Sequence, residues 1–321
     1  MTRGDPSLLR RLNAIAVLRA LYAAEELTLA ELVKASEVSR PTVEEIAADL
    51  GEQGLVEKVP LSPGAPRPVG RPAKRYRFRP EAGHVAGLEI GPHQALCLVA
   101  DLRGEVVGRA ETGLTPVMAA AARLGAARRV LGTAVEGHAD VRVLGIGTTG
   151  VVSGGKVVRD DRLPGWTGVD LPTEFGGGCP VLAGNDTKLS ALAETWRGAA
   201  HGLDDVVYVH AGRTVSLGLL LGGKLHAGHH GAAGEIGALR RAGGFVELVA
   251  ATVLAVDPQL VVIGGTANSL TTPLRAELAR LCLFPVRVET ATLGEDSVAL
   301  GAVRLALSRV EHELFSVADV A

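Results

Sequence analysis

The strongest constraint on this chain is a plan that it states twice. His84-Val-Ala-Gly-Leu-Glu-Ile-Gly91 is an apolar run closing on glycine. After three residues come a second run, Ala95–Leu102, a turn at Arg103-Gly104 and a third strand from Glu105. The same order returns at Asp205-Val-Val-Tyr-Val-His-Ala-Gly212. Three residues on lies the run Ser216–Leu221, then a turn at Gly222-Gly223, then Lys224 onward. Apolar runs bounded by glycine turns read as strands joined in hairpins. Helical and strand patterns follow each meander: 117–136 and 141–147 after the first, 246–256, 260–264 and 274–282 after the second. Two α/β lobes of one design predict a cleft between them. The first meander loop of each lobe is expected to face that cleft, where glycine lets backbone N–H groups approach a phosphate.

The first eighty residues follow a different pattern. Leu8, Leu9, Leu12, Ile15, Leu18 and Leu21 recur at spacings of three and four, which predicts an amphipathic helix over 7–24. Thr28 is placed to cap a short helix with Leu29, Leu32 and Val33 inward. A tight turn is expected at Glu37-Val38. Ser39 is then placed to cap a third helix whose inward stripe is Val43, Ile46, Ala47 and Leu50, with Pro41 in its first turn. A short helix, a turn and a capped second helix is the arrangement that lays a recognition helix in the major groove. Two strands, Leu55–Lys58 and Tyr76–Phe78, flank a Pro/Gly-rich loop over 60–72 and complete a wing. Its tip, Gly70-Arg71-Pro72, with Lys74 and Arg75 behind it, has the basic, Pro-flanked character of a minor-groove hook. Ser39, Arg40, Thr42, Glu44, Arg71, Lys74 and Arg75 are therefore the expected DNA contacts. Glu44 and Glu45 repel phosphate, and only a cytosine amine would suit them.

Charge and cysteine usage agree with this division. Residues 1–80 hold 13 Lys/Arg against 10 Asp/Glu, and the rest of the chain 20 against 25, so only the head is basic. Cys97, Cys179 and Cys282 lie far apart in no metal-binding spacing, which argues against a disulfide framework or a zinc site. His226, His229 and His230 are expected on loops rather than on a metal. No apolar run reaches membrane-spanning length and no signal-peptide pattern opens the chain, so a cytoplasmic protein is expected.

Four blocks give the body a family. Val143-Leu-Gly-Ile-Gly-Thr-Thr-Gly-Val-Val-Ser-Gly, Leu163-Pro-Gly-Trp-Thr-Gly-Val-Asp-Leu, Gly184-Asn-Asp-Thr and Gly231-Ala-Ala-Gly-Glu-Ile-Gly stand in order behind the helix-turn-helix. The chain resembles the ROK family (repressors, open reading frames, kinases) over nearly its whole length. The resemblance implies an α/β fold: a winged helix-turn-helix over residues 1–80, then a two-lobed actin-like, ribonuclease H-like ROK domain over 81–321. Its lobes would span roughly 81–182 plus 301–321, and 183–300. It also implies a repressor of carbohydrate-related genes, dimeric or tetrameric, whose partners are operator DNA and a sugar or sugar phosphate.

Against the family's kinases, this chain departs at both phosphate loops. Glu89-Ile-Gly-Pro-His93 stands where the family has Asp-x-Gly-Gly-Thr, and Gly212-Arg-Thr-Val-Ser216 where it has Gly-Thr-Gly-x-Gly. Pro92 removes an N–H donor and stiffens the loop. Asp186 beside Asn185 matches the kinase base but is expected to be vestigial, and no cofactor is expected. Asn185, Asp186 and Glu235 are the expected ligand contacts. The histidine that follows that glutamate in the family is Ala238 here, and the family's cysteine-rich zinc segment is missing. Arg213 is a candidate grip for a phosphorylated ligand. Two alternatives follow: an active sugar kinase using Asp186, or an effector-independent regulator whose body serves assembly alone.

Overall fold

The computed structural model describes residues 6–60, 74–138, 140–212, 215–239, 244–265 and 271–316. They form two compact units. A head unit takes residues up to His84 together with Asp101–Glu105 and the chain from Ser308; a body unit takes Val85–Ala100 and Val106–Leu307.

The head begins with α1 (Pro6–Tyr22), α2 (Leu29–Ser36) and α3 (Arg40–Glu52). Thr28 closes a complete capping box: its hydroxyl accepts from the Glu31 amide, while the Glu31 carboxylate accepts from the Thr28 amide at 2.8 Å. Glu37 then turns the chain with φ +56°, and α3 starts behind Ser39. Ser39 occupies the cap position, but its hydroxyl bonds Thr42 Oγ1 at 2.8 Å instead of a backbone amide, so the expected side-chain cap is absent. Val43, Ile46, Ala47 and Leu50 are buried as their spacing predicts. In α1 only the second half behaves as predicted: Val17, Leu18 and Leu21 are buried, whereas Leu8, Leu9 and Leu12 are exposed. The periodicity predicts the helix; its first two turns meet α3 through Arg10 and leave these leucines exposed. Strands β1 (Leu27–Thr28), β2 (Val56–Val59) and β3 (Arg75–Phe78) form an antiparallel sheet in the order β1-β3-β2.

Three pieces of chain complete this unit. Tyr22 donates to the Leu102 carbonyl at 3.0 Å and to Glu311 Oε1 at 3.2 Å, and its ring meets Phe78 and Phe315 edge-on. Arg103 donates to the carbonyls of Leu21 and Ala24 at the end of α1.

In the body, β4 (His84–Ile90), β5 (Gln94–Asp101), β6 (Val106–Gly113), β7 (Val141–Thr148) and β10 (Val181–Asn185) make one sheet in the order β10-β7-β4-β5-β6. A second sheet runs β13-β12-β11-β14-β15, from β11 (Val206–Ala211), β12 (Val215–Leu221), β13 (Lys224–Leu225), β14 (Leu260–Gly265) and β15 (Arg287–Thr290). Numbered within each lobe, both sheets read third, second, first, fourth, fifth. The duplication seen in the sequence is thus a duplication of topology, and β8 (Val151–Ser153) with β9 (Lys156–Arg159) is a ribbon that, among the described residues, only the first lobe has.

Helices α4 (Ala120–Val135), α5 (Leu171–Phe175), α6 (Asp186–Arg197), α7 (Phe245–Val256), α8 (Thr271–Leu281) and α9 (Ser297–Phe315) flank these sheets. The spacing in α9 predicts Leu300, Val303, Leu305 and Leu307 inward; Val303 and Leu307 are, and small residues make up most of the remaining inner face. Ala299, Gly301, Ala302, Val303, Ala306 and Leu307 are buried, while Leu300 and Leu305 are only half-buried. Small residues win because the backbones nearly touch: a Cβ on Gly145 of β7 would lie 2.1 Å from the Ala302 carbonyl oxygen.

Candidate functional site

The head gathers most of its predicted residues in one unit. Arg40 and Ser39 are exposed at the start of α3, with Thr42 and Glu44 half-exposed beside them. Lys74, leading into β3, reaches Glu44 Oε1 at 3.4 Å, which joins the wing base to the recognition helix. Arg75 is paired with Glu26, so the local acid already holds that cation. Arg71, with the rest of Gly70-Arg71-Pro72, lies outside the described residues. The sequence reading missed Arg10. From α1 it pairs with Asp49 at 2.6 Å and Glu45 at 3.0 Å, neutralising two acids on α3. Among the described residues Arg40 makes no ion pair, so α3 presents it as an uncommitted cation.

In the body, the chain between β7 and α6 builds the second site. Asp160 accepts from Thr149 Oγ1 at 2.6 Å and from the amides of Arg162 and Leu163, fixing the turn that carries Arg162. Trp166, wholly buried, donates from Nε1 to Thr148 Oγ1, which in turn donates to the Ile90 carbonyl. Asn185 ends β10 and caps α6: its Oδ1 accepts from the Lys188 amide and its Nδ2 donates to the Gly150 carbonyl. Asp186 Oδ1 accepts from Asn185 Nδ2 at 2.9 Å and from the Thr187 amide at 2.8 Å, leaving Oδ2 facing Arg162 at 3.4 Å.

Lys188, 4 % exposed, donates from Nζ to the Gly231 carbonyl at 2.8 Å and stands 3.9 Å from Glu235 Oε1. Gly231 can take this position because it has φ +75° and a Cβ there would strike the Val152 carbonyl oxygen at 2.2 Å. Burial pushes the Glu235 carboxyl up, opposed by Lys188, and burial pushes the Lys188 ammonium down, opposed by Glu235 and Asp186. The predicted Asn185, Asp186 and Glu235 are therefore brought together. Arg162 and Lys188 join them unpredicted, although both were visible: Arg162 directly precedes Leu163-Pro-Gly-Trp, and Lys188 is the lone cation in the buried first turn of α6.

The first meander loop holds little that could grip a phosphate. The Gly91 amide donates to the Gln94 carbonyl at 2.9 Å and Pro92 has no N–H. From below, Arg123, wholly buried, donates to the carbonyls of Gly91 and Thr115 and stacks over Trp166 at 5.9 Å. Beside this loop the Glu89 carboxyl accepts from Gln94 Nε2 at 3.0 Å and is pushed up to about 7, chiefly by burial, with Asp186, Asp296 and Glu295 adding to it. In the second loop, Ser216 Oγ meets Thr187 Oγ1 at 2.6 Å; Arg213 lies outside the described residues. His226, His229 and His230 are exposed, and the described residues hold no His/Cys/Asp/Glu group fit for a metal. No helix among them is long and apolar enough to cross a membrane.

Comparison with known proteins sets this geometry in context. The sequence model of the ROK family matches residues 85–245, and that of the MarR family matches residues 10–65. A putative xylose repressor from a Caldicellulosiruptor species is 23 % identical over 244 residues, 73 % of this chain and 60 % of the relative. The chain thus spans about three fifths of the length of that curated relative. A crystal structure of a ROK family transcriptional regulator, a homolog of the E. coli MLC protein, superposes with a TM-score of 0.70 at 17 % identity. It covers 96 % of this chain and 98 % of that one. A ROK glucokinase from Streptomyces griseus, solved with glucose and AMPPNP, matches 70 % of this chain and all of its own, with a TM-score of 0.58 at 21 % identity. These structures share the fold; the family match, covering half of the sequence behind a helix-turn-helix, shows that the chain belongs to the ROK family.

Proposed function

We propose that this protein is a DNA-binding transcriptional regulator, a repressor of carbohydrate-related genes, whose ROK body senses a sugar-like ligand and assembles the protein as a homodimer or homotetramer without phosphorylating anything. The observation that carries the reading is α2, the Glu37 turn and α3 standing beside an antiparallel wing pair, with Arg40 uncommitted at the start of α3. That is the layout of a recognition helix. The putative xylose repressor and the ROK transcriptional regulator support it by name and by fold. Such a regulator works in the cytoplasm, on the chromosome.

Against kinase chemistry stand the committed Gly91 amide and the missing Pro92 donor. Asn185, Asp186 and Glu235 remain as ligand contacts, and Ser39, Arg40, Thr42, Glu44, Arg71, Lys74 and Arg75 as the DNA set.

The test is retardation of DNA from upstream of its own gene at fixed salt. Saturable binding, weakened by Arg40→Ala and Arg71→Ala, is the expected result. No binding to any upstream fragment, together with ATP turnover on a hexose that Asp186→Asn abolishes, would replace this reading with that of a sugar kinase.

A further inference from the structure

Helix α9 belongs to both units: its residues to Leu307 count with the body and those from Ser308 with the head. It runs unbroken over 19 residues, about 28 Å at the α-helical rise. Its body portion is seated backbone on backbone. A Cβ on Gly301 would lie 2.0 Å from the Leu189 carbonyl oxygen of α6, and a Cβ on Gly87 of β4 would lie 2.4 Å from the Ala299 carbonyl oxygen. Gly145 of β7 meets Ala302 in the same way. Where side chains separate two elements, rotamer changes absorb a small displacement. Where glycines let the backbones touch, no such cushion is left.

Helix α6 is fastened to α9 at further points along its length. Ser190 Oγ meets Ser297 Oγ at 3.0 Å, and both residues are buried. The wholly buried Glu194 carboxylate accepts from the amides of Thr292 and Leu293, at 2.9 and 3.0 Å, in the link that leads to α9. Arg304 stands over the Trp196 ring at 5.9 Å. The start of this same α6 carries Asn185, Asp186 and Lys188. At its other end α9 holds α1. Glu311 accepts from the Tyr22 hydroxyl at 3.2 Å, Phe315 meets the Tyr22 ring edge-on at 5.1 Å, and the Phe315 carbonyl accepts from Arg19 at 2.8 Å. One stiff element therefore has fixed contacts both with the helix that begins at the ligand contacts and with the first helix of the head.

We propose that α9 is the transmission element of this regulator: a shift of α6 on ligand binding passes through the Gly301 seam to α9, and from α9 through Tyr22 and Arg19 to α1, changing the affinity for DNA. Asn185 caps α6 and Asp186 opens it, so whatever moves these two residues moves a helix as a unit. Ser190, Glu194 and Gly301 deny α9 the freedom to stay behind. Coupling of this kind needs only that the ligand bind one placement of α6 better than another. Gly301, Ser297, Tyr22 and Phe315 are then positioning residues, acting on DNA affinity through α9.

The proposal rests on the sensor reading of the body, and the experiment separates the two. Calorimetry of the full-length protein measures binding of xylose, glucose, N-acetylglucosamine and the 6-phosphates of the last two. Retardation of its upstream DNA, with and without each sugar, measures the coupling as a ratio of DNA affinities. In the parent protein at least one sugar is expected to bind and to change DNA affinity about tenfold. Phe315→Ala is expected to leave the sugar affinity within about twofold of the parent while the ratio falls close to one. Tyr22→Phe keeps the ring and loses only the hydroxyl bonds to the Leu102 carbonyl and Glu311, so it tests the same joint without a cavity, and part of the ratio is expected to go. Ser297→Ala tests the α6 side more gently than Gly301→Ala, which forces the seam apart. Hydrogen exchange gives a second reading: sugar should change the protection of α1 amides in the parent and not in Phe315→Ala. A ratio of parental size in folded Phe315→Ala and Ser297→Ala would overturn the proposal. So would a sugar that binds the parent without changing its DNA affinity, which would leave the body a sugar binder uncoupled from the head. No binding by any probe, with DNA retardation intact, would overturn the sensor reading and the proposal together.

Discussion

The Arg10 group of the head and the Lys188 group of the body are both clusters of two acids with cations of the same chain, and they behave as opposites. Arg10, Glu45 and Asp49 lie in the open and close to 2.6 and 3.0 Å; Lys188 and Glu235 lie inside and stay 3.9 Å apart. The shorter distances mark the weaker stakes. In water a tight pair is screened and contributes little, whereas a buried charge is felt in full even when its partner is distant. In the head, Arg10 is spent on two exposed acids of α3. In the body, Lys188 is held back from complete pairing.

That contrast can be broken at four points. The largest effect is expected at Arg123, the most deeply buried cation of the body. Arg123→Ala should cost about 3–5 kcal/mol, because it leaves a cavity against Trp166 and orphans the carbonyls of Gly91 and Thr115. Denaturant unfolding measures it, and a cost below about 1 kcal/mol would mean that burial does not separate the two groups.

Next is Glu89→Gln. The folded protein holds this proton more tightly than the unfolded chain, so the carboxyl's contribution is complete below its ordinary 4.5 and is lost as pH rises through about 7. A glutamine suffers no such loss. The variant should match the parent near pH 4 and exceed it by about 3 kcal/mol at pH 8, read from paired unfolding curves across pH.

Third, Arg40→Ala should weaken DNA retardation by about tenfold while leaving the unfolding midpoint unchanged, since it removes a contact rather than a support. The smallest effect belongs to Arg10→Ala. Stability should fall by less than about 1 kcal/mol, with a few-fold loss of DNA affinity that high salt reduces, as unmasked Glu45 and Asp49 repel phosphate. Equal stability losses from Arg10→Ala and Arg123→Ala would erase the comparison.

The sequence made the duplicated meander, the capped helix-turn-helix and the Asn185-Asp186 junction readable, because each is specified by neighbours in the chain. Glycine-bounded apolar runs and the Thr28–Glu31 box carry their own instructions. What it hid depends on distant partners. Leu8, Leu9 and Leu12 keep a helical spacing yet stay exposed, and most of the buried face of α9 is small because Gly145 comes so close to Ala302. Arg162 and Lys188 stood beside motifs already singled out. Their meaning came only when residues 26 apart in the chain were found to share one charge cluster with Glu235.

Tyr22 carries a consequence for how the molecule is made. Its hydroxyl bonds the turn at Leu102 and its ring meets Phe315, so the end of the first helix is finished by a strand turn and by the last turn of the last helix. On a ribosome working from one end, α1 to β3 emerge early and wait while more than two hundred residues follow. The head unit is therefore completed only after the residues of α9 have been made. A chain interrupted before α9 would carry α1 without Glu311 and Phe315, two of the residues that hold its end.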